Sequence, residues 1–421
     1  SKMKHIDQIC ESMIWLGLDW DGDLIYQSER NQLYQNAISN LLETDKAYLC
    51  FCTKDELAKI RDETESYSYP GICRDRPKSD TQEQLDKNIP FTIRLKVLQN
   101  KENVIFNDLI YGKIEVSYNE LDDFIIARSD GSPVYNLTNV VDDHEMGITH
   151  VIRGEDHISN TPKQILLYQA FEWDIPIFAH LPMILGKDKK RLSKRHGATG
   201  VQYYREKGYQ PQAFLNYLSL LGWNPGTEEE VMSFDEVIEK FDLKKVHKKS
   251  AIFDDQKFNW ISGQHLTLQS NEDIFSALKN IDINWGKKLP NTVCLNILEI
   301  MKVRSNSLND LMEQSGYFFD DPIYNNEETY TKIWKENSFI IVDQIKDIFE
   351  KIDTWNDEVL EKKIKVFITQ KGYSFGDVMK PIRFAISGTL NGPSLFVILS
   401  ILGKETSLNR INTVLNMKEN D

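Results

Sequence analysis

Cysteine is scarce in this 421-residue chain: Cys10, Cys50, Cys52, Cys73 and Cys294 are too few and too clustered for a disulfide framework, which points to a reducing compartment. No apolar run approaches the ~20 residues that a membrane-crossing helix needs. No charged n-region followed by an apolar h-region opens the chain, so a cytoplasmic protein with no membrane partner is expected. Internal repeats and low-complexity tracts are missing too. Net positive charge is also lacking, since 64 acidic residues face 50 Lys and Arg for a formal charge of -14. That deficit does not exclude a nucleic-acid partner, because phosphate binding depends on where cations lie rather than on their sum.

What is present fits a large globular protein. Hydrophobic content of 41% and charged content of 27% allow two to four domains, each able to bury a core. The cations are local. Lys187 to Arg195 reads K-D-K-K-R-L-S-K-R, six cations in nine positions, between Gly186 and Gly197. Lys244-Lys245-Val246-His247-Lys248-Lys249 is a second basic knot. Such density repels itself unless a polyphosphate or similar anion neutralises it, and the Ser193 hydroxyl adds a phosphate donor. By composition alone the segment reads equally well as a solvated basic loop.

Apolar spacing predicts helices over Met3–Leu16, stopped by Gly17, and over Asn31–Leu42, capped by Asn31. Phe91–Val97 (F-T-I-R-L-K-V) alternates as a half-buried strand. Thr149–Arg153 reads as a strand running into Gly154, and Thr161 caps a helix with Pro162 in its first position. Strand, polar turn and helix in that order form the unit of a parallel nucleotide-binding sheet, which puts Arg153, Glu155 and Asp156 where ligands bind. Pro211–Leu221 is another helix, and Ser233 with Glu236 has capping-box spacing. From about residue 290 helical periodicity dominates, so an α/β half precedes an all-helical half.

The order R-L-S-K-R-H-G resembles the K-M-S-K-R signature of class I aminoacyl-tRNA synthetases, with Arg191 and Leu192 in its first two places. Asp130 to Gln164 (D-G-S-P-V-Y-N-L-T-N-V-V-D-D-H-E-M-G-I-T-H-V-I-R-G-E-D-H-I-S-N-T-P-K-Q) resembles the second half of the glutamyl-tRNA synthetase catalytic domain. W-L-G-L-D-W-D-G at 15 to 22, Y-Q-S-E-R at 26 to 30, F-D-D-Q-K-F-N-W at 253 to 260 and G-P-S-L at 392 to 395 match in the family's order. The resemblance covers nearly the whole chain.

This resemblance implies an enzyme with a Rossmann-like domain that forms glutamyl-adenylate from ATP and L-glutamate and passes the glutamyl group to the 3′ end of its tRNA. Tyr135, Asn139 and Arg153 match the positions that hold the amino acid. A guanidinium can grip the side-chain carboxylate in two parallel bonds, which glutamine's amide cannot reciprocate. Asp156 and His157, with Lys190 and Lys194, match positions near ATP. Lys194, supported by Arg191 and Ser193, matches the residue that stabilises departing pyrophosphate. Mg2+ accompanies the ATP; no protein ligand is assigned, and Asp142-Asp143 reads equally well as structural. Cys50, Cys52 and Cys73 offer three thiolates for Zn2+, and no histidine lies between His5 and His144. The family's relatives include a Cys-x-Cys, Tyr, Cys set, which makes Tyr69 the fourth ligand; the alternative is a zinc-free subdomain.

Two family features are missing from the sequence: an H-I-G-H-like loop and the acidic E-D-T-D segment after it. In matched order Ser1 falls just past them, so the catalytic domain is expected to be incomplete at its N-terminus and the chain as given inactive without that segment. The expected division is 1–48 for the first catalytic part, 49–122 for an inserted α+β acceptor-end domain with the cysteines, and 123–197 for the second catalytic half. An all-α stem-contact region at 198–285 and a helical anticodon-binding region at 286–421 complete it. Two rivals are a non-catalytic tRNA-binding derivative and the shortened paralogue that glutamylates a modified tRNA nucleotide; the long helical region opposes the second. A monomer is the family expectation, and whether tRNA(Gln) is charged beside tRNA(Glu) stays open.

Overall fold

The computed structural model describes residues 2–65, 68–97, 103–192, 200–324, 333–334 and 336–417. The first apolar periodicity folds as α1 (Lys2–Leu16). Gly17 ends it at φ +71°, a left-handed turn that lets the Leu18 and Gly17 amides bond back to the Met13 and Ile14 carbonyls. In α2 (Asn31–Glu43) Tyr34, Ile38 and Leu41 are buried along one face. Asn31 is the first residue of this helix and not its cap. Arg30 holds the cap position without a side-chain cap bond, and its guanidinium lies 3.3 Å from Asp142.

Next come β1 (Ala47–Cys50), α3 (Lys54–Thr64), α4 (Lys78–Asp86) and β2 (Thr92–Leu95). Strict alternation predicts an outward Arg94, yet this side chain is 6% exposed. Its guanidinium donates to the Asp123 carbonyl at 2.8 Å and lies 3.7 Å over the Tyr69 ring, interactions that replace solvent.

β3 (Val104–Asp108), β4 (Gly112–Val116), β5 (Ile125–Ala127), α5 (Tyr135–Glu145), β6 (His150–Gly154), α6 (Thr161–Phe171), β7 (Ile177–Leu181) and β8 (Ile184–Leu185) follow. One antiparallel sheet runs β1-β2-β5; a mixed sheet runs β4-β3-β7-β6, with β7 parallel to both β3 and β6. β6, α6 and β7 form a parallel crossover, which sets the carboxyl ends of the strands beside the start of α6. β3 and β4, inside the segment 49–122, are hydrogen-bonded into the same sheet as β6 and β7. A single core containing Leu41, Leu95, Ile126, Leu137 and Leu167 joins both sheets and the helices over them.

Beyond β8 lie α7 (Val201–Glu206), α8 (Pro211–Ser219), α9 (Phe234–Lys240), β9 (Ala251–Ile252) and α10 (Asp255–Leu268). Ser233 and Glu236 make the expected reciprocal cap of α9. Residues 198–285, expected to be all-α, are not purely helical: β9 pairs parallel with β8, and the Phe253 amide extends that pairing to the Leu185 carbonyl at 2.8 Å. Tyr204, Phe214, Tyr217, Phe253 and Phe258 form an aromatic core here, which Leu16 of α1 joins.

Among the described residues the remaining α-helices are α11 (Asn271–Ile281), α12 (Asn291–Met301), α13 (Leu308–Ser315), α14 (Glu336–Glu350), α15 (Asp357–Lys371), α16 (Phe375–Ser387) and α17 (Leu395–Met417), the last broken by a kink at Gly403, φ +78°. They pack around a core of their own, with Leu278, Ile297, Leu311, Ile345, Ile364 and Ile382 wholly buried. Among the described residues no helix is long and apolar enough to cross a membrane.

Candidate active site

Arg153 stands near the carboxyl end of β6, in register with His180 of β7. Its Nε donates to His180 Nε2 at 3.2 Å, and its Nη2 donates to Thr161 Oγ1 at 2.8 Å and to Gln164 Oε1 at 2.7 Å. Nη1 reaches Asn139 Oδ1 only at 3.5 Å, and that oxygen also accepts from Gln164 Nε2 at 2.8 Å. All these partners are neutral acceptors, and no carboxylate pairs with Arg153 among the described residues. Burial lowers the Arg153 pKa from its ordinary range, but a guanidinium stays charged. Asp143 faces it through space: burial pushes this carboxyl up to about 6, while the charge of Arg153 pulls the other way. A half-buried cation whose hydrogen bonds all go to neutral groups, with Asp143 acting on it only through space, is a seat for an anion.

The two-bond fork expected of Arg153 is narrowed by these contacts. Nε and Nη2 are committed to the protein, so Nη1 is the donor edge left for a ligand. Thr161 also departs from expectation. Asn160 occupies the cap position of α6, Thr161 is its first residue and Pro162 its second, so the Thr161 hydroxyl holds Arg153 instead of an amide.

Tyr135 and Asn139 lie one turn apart at the start of α5. The exposed Tyr135 hydroxyl is 3.3 Å from His157 Nδ1, with ring centroids 5.7 Å apart. Beside Tyr135 an open groove of about 490 Å³ is lined by Gln27, Ser28, Asn31, Tyr34 and Pro133. Asp156 occupies the short 3-10 helix Glu155–Asn160 that follows β6, and its carboxylate lies 3.2 Å from Arg191 Nη1.

That contact is made by a hairpin. The Leu192 amide bonds to the Ile184 carbonyl at 3.0 Å and the Gly186 amide to the Lys190 carbonyl at 2.8 Å, around Lys189 at φ +59°. The first half of the basic segment therefore folds back on β8 and brings Arg191 to the end of β6 that carries Arg153. The Lys190 amide bonds to Asp188 within the turn. Ser193 and Lys194 lie outside the described residues.

Two carboxylates near the site are structural ties. Glu155 accepts from the Met183 amide at 2.9 Å and from the Tyr111 hydroxyl, fastening the β3–β4 turn to the approach of the hairpin. Asp142 accepts from Tyr34 at 2.8 Å and from Gln27 at 2.9 Å, beside Arg30. Sequence reasoning missed Gln164, His180 and Asp108. Gln164 carried a signal, three residues beyond Thr161 on one helix face. Asp108 and His180 carried none, because 72 residues separate them and only the sheet brings them together.

Cys50, Cys52 and Cys73 point their sulfurs into one cluster, all within 4.8 Å of one another. Cys52 Sγ lies 3.6 Å from Cys73 Sγ, and the Tyr69 hydroxyl lies 3.3 Å from Cys50 Sγ and 3.7 Å from Cys52 Sγ. A tetrahedron with metal–sulfur bonds of about 2.3 Å has edges of about 3.8 Å, so the four atoms fit a zinc ion. The Cys73 thiol is pulled down by its bond from Cys50, while the same contact and burial raise Cys50. Burial raises the Tyr69 phenol as well.

The model of "tRNA synthetases class I (E and Q), catalytic domain" matches residues 1–260, and that of "Anticodon binding domain" matches residues 268–415. Among curated relatives, the chain is 38% identical to glutamate–tRNA ligase 2 of Thermoanaerobacter pseudethanolicus, over 97% of this chain and 87% of the relative. It is 39% identical to the glutamate–tRNA ligase of Aquifex aeolicus, over 99% and 89%. A crystal structure of a glutamate tRNA ligase from Elizabethkingia meningosepticum in complex with its amino acid superposes with a TM-score of 0.83 at 34% identity, covering 97% of this chain and 89% of that one. The chain belongs to the class I tRNA synthetases of the E and Q type, in the company of the glutamate–tRNA ligases.

Proposed function

We propose that the protein ligates L-glutamate to the 3′ end of tRNA(Glu) through glutamyl-adenylate, using ATP. The observation that carries this reading is Arg153, a half-buried guanidinium with neutral partners only, at the strand end to which Arg191 is also brought. Arg153 Nη1, with Tyr135 and Asn139 beside it, receives the side-chain carboxylate. Glutamine presents an amide there and cannot neutralise the buried cation. Asp156 and His157 border the adenosine of ATP, and Lys190, Arg191, Ser193 and Lys194 neutralise charge that grows on the leaving pyrophosphate. The reaction is an in-line displacement at the α-phosphate, so the protein positions groups and neutralises charge without a covalent enzyme intermediate. Mg2+ enters with ATP.

Glutamate-dependent ATP–pyrophosphate exchange, followed by aminoacylation of purified tRNA(Glu) and tRNA(Gln), tests the reading on the protein as its gene encodes it. Exchange with glutamate and none with glutamine is expected; equal exchange with both amino acids defeats it. The tRNA pair reports how the helical half, residues 286–421, discriminates anticodons.

Zn2+ held by Cys50, Cys52, Tyr69 and Cys73 would fix the chain around β1 for contact with the tRNA acceptor end. Elemental analysis is expected to return about one zinc per chain, falling at least severalfold in Cys73→Ser. Metal content far below one in the unsubstituted protein removes zinc from the scheme.

A further inference from the structure

His180 is wholly buried, and Asp108 is 3% exposed at the end of β3. Asp108 is saturated with donors. Its Oδ1 accepts from the Ile110 and Tyr111 amides at 2.9 and 2.8 Å, and its Oδ2 accepts from the His180 amide at 3.1 Å and lies 2.7 Å from His180 Nδ1. A carboxylate in that position takes a hydrogen from Nδ1, so the ring carries its proton on Nδ1 and its lone pair on Nε2. Nε2 in turn lies 3.2 Å from Arg153 Nε, which can only donate, and 3.2 Å from Thr161 Oγ1. Burial lowers the His180 pKa and so favours the neutral ring. An imidazolium there would offer the guanidinium no acceptor and would add a second buried cation.

We propose that Asp108 and His180 are positioning residues for amino-acid recognition: Asp108 fixes the tautomer of His180, and the His180 lone pair anchors Arg153 Nε so that Nη1 faces the glutamate carboxylate. The inference rests on the reading of Arg153 as the glutamate-binding residue. The geometry explains why one guanidinium carries three short contacts on one side and only a long one on the other. Thr161 and Gln164 hold Nη2, His180 holds Nε, and the plane of the fork is fixed by three acceptors from α6 and β7. Neither Asp108 nor His180 touches the ligand in this scheme.

The test measures KM for glutamate and KM for ATP in pyrophosphate exchange with the gene-encoded protein, for His180→Asn, His180→Gln, Asp108→Asn and Arg153→Lys, with a thermal melt of each. The asparagine amide can replace Nδ1 toward Asp108 but leaves no acceptor for Arg153. Glutamine can reach the place of Nε2 with its oxygen. Asp108→Asn presents an amide donor to Nδ1 and favours the opposite tautomer. Expected are a rise in glutamate KM of about tenfold or more in His180→Asn and Asp108→Asn, an ATP KM within about twofold, and recovery in His180→Gln. Unchanged glutamate KM in His180→Asn, equal rises in both KM values, or failure of glutamine to restore glutamate KM overturns the proposal. Arg153→Lys separates the two levels. If it leaves glutamate KM unchanged, the reading of Arg153 itself is wrong; if it raises glutamate KM while His180→Asn does not, only the positioning role falls. Should the buried substitutions fail to fold, ring nitrogen NMR of the unsubstituted protein decides: an Nδ1-protonated neutral His180 at neutral pH is required, and an Nε2-protonated ring or an imidazolium overturns the proposal.

Discussion

Arg153→Lys lowers kcat/KM for glutamate in pyrophosphate exchange by about 10³-fold, ~4 kcal/mol, while ATP affinity changes little. The size follows from what the substitution does to four groups at once. An ammonium has three donors in a compact cluster and cannot reach His180, Thr161 and Gln164 while also facing the ligand. At least one buried acceptor is left unpaired, and the cation follows whichever neutral acceptors hold it rather than the carboxylate. Glutamine becomes a relatively better substrate because the site no longer concentrates positive charge at one edge. The measurement is a pair of kcat/KM values, glutamate against glutamine, for both proteins. A loss below about tenfold would show that Arg153 is a structural arginine whose neutral hydrogen-bond partners are incidental.

The sequence made the strand-turn-helix unit around β6 legible because each piece carries a local signal: an apolar run, a polar turn, and a proline in the first turn of a helix. It also placed the basic segment, the three cysteines and the two-part division into mixed and helical halves. What it could not show was who holds Arg153. The partners come from α5, α6 and β7, and their meeting depends on strand order, which no local pattern encodes. Thr161 illustrates the limit. Its position suits a helix cap, and a capping threonine and a threonine that accepts from a guanidinium look the same in sequence. Arg94 shows another failure of local reasoning: alternation sends it to solvent, whereas Tyr69 and the Asp123 carbonyl hold it inside. Cys50, Cys52 and Cys73 were readable as a cluster for the opposite reason, since a Cys-x-Cys pair and a third cysteine only 21 residues on lie close together in the chain.

Gly208→Ala is expected to separate charging of tRNA from activation of glutamate. Gly208 follows α7 at φ +74°, and a Cβ built there would lie 2.5 Å from Asn309 Oδ1 and 2.7 Å from the Asn309 amide nitrogen. A side chain could swing aside, but a backbone nitrogen cannot, and the two segments are bonded at this point. The Leu308 amide donates to the Gly208 carbonyl at 2.9 Å, and Asn309 Nδ2 donates to the Glu206 carbonyl at 2.9 Å. Ser262 Oγ bonds to the Asn306 carbonyl at 2.6 Å nearby, so α10 and the entry to α13 meet at the same joint. A methyl group combines left-handed strain with overpacking, together about 3 kcal/mol, and relief requires the start of α13 to move away from the aromatic core around Tyr204 and Phe258. The catalytic sheet is untouched by that movement, so glutamate-dependent pyrophosphate exchange stays within about twofold of the unsubstituted protein. Aminoacylation depends on holding the anticodon-binding helices at a fixed reach from β6, so its kcat/KM for tRNA falls by about tenfold or more. Equal loss of both activities would mean that the substitution unfolds the protein as a whole, and loss of neither would mean that the joint carries no information between the two halves.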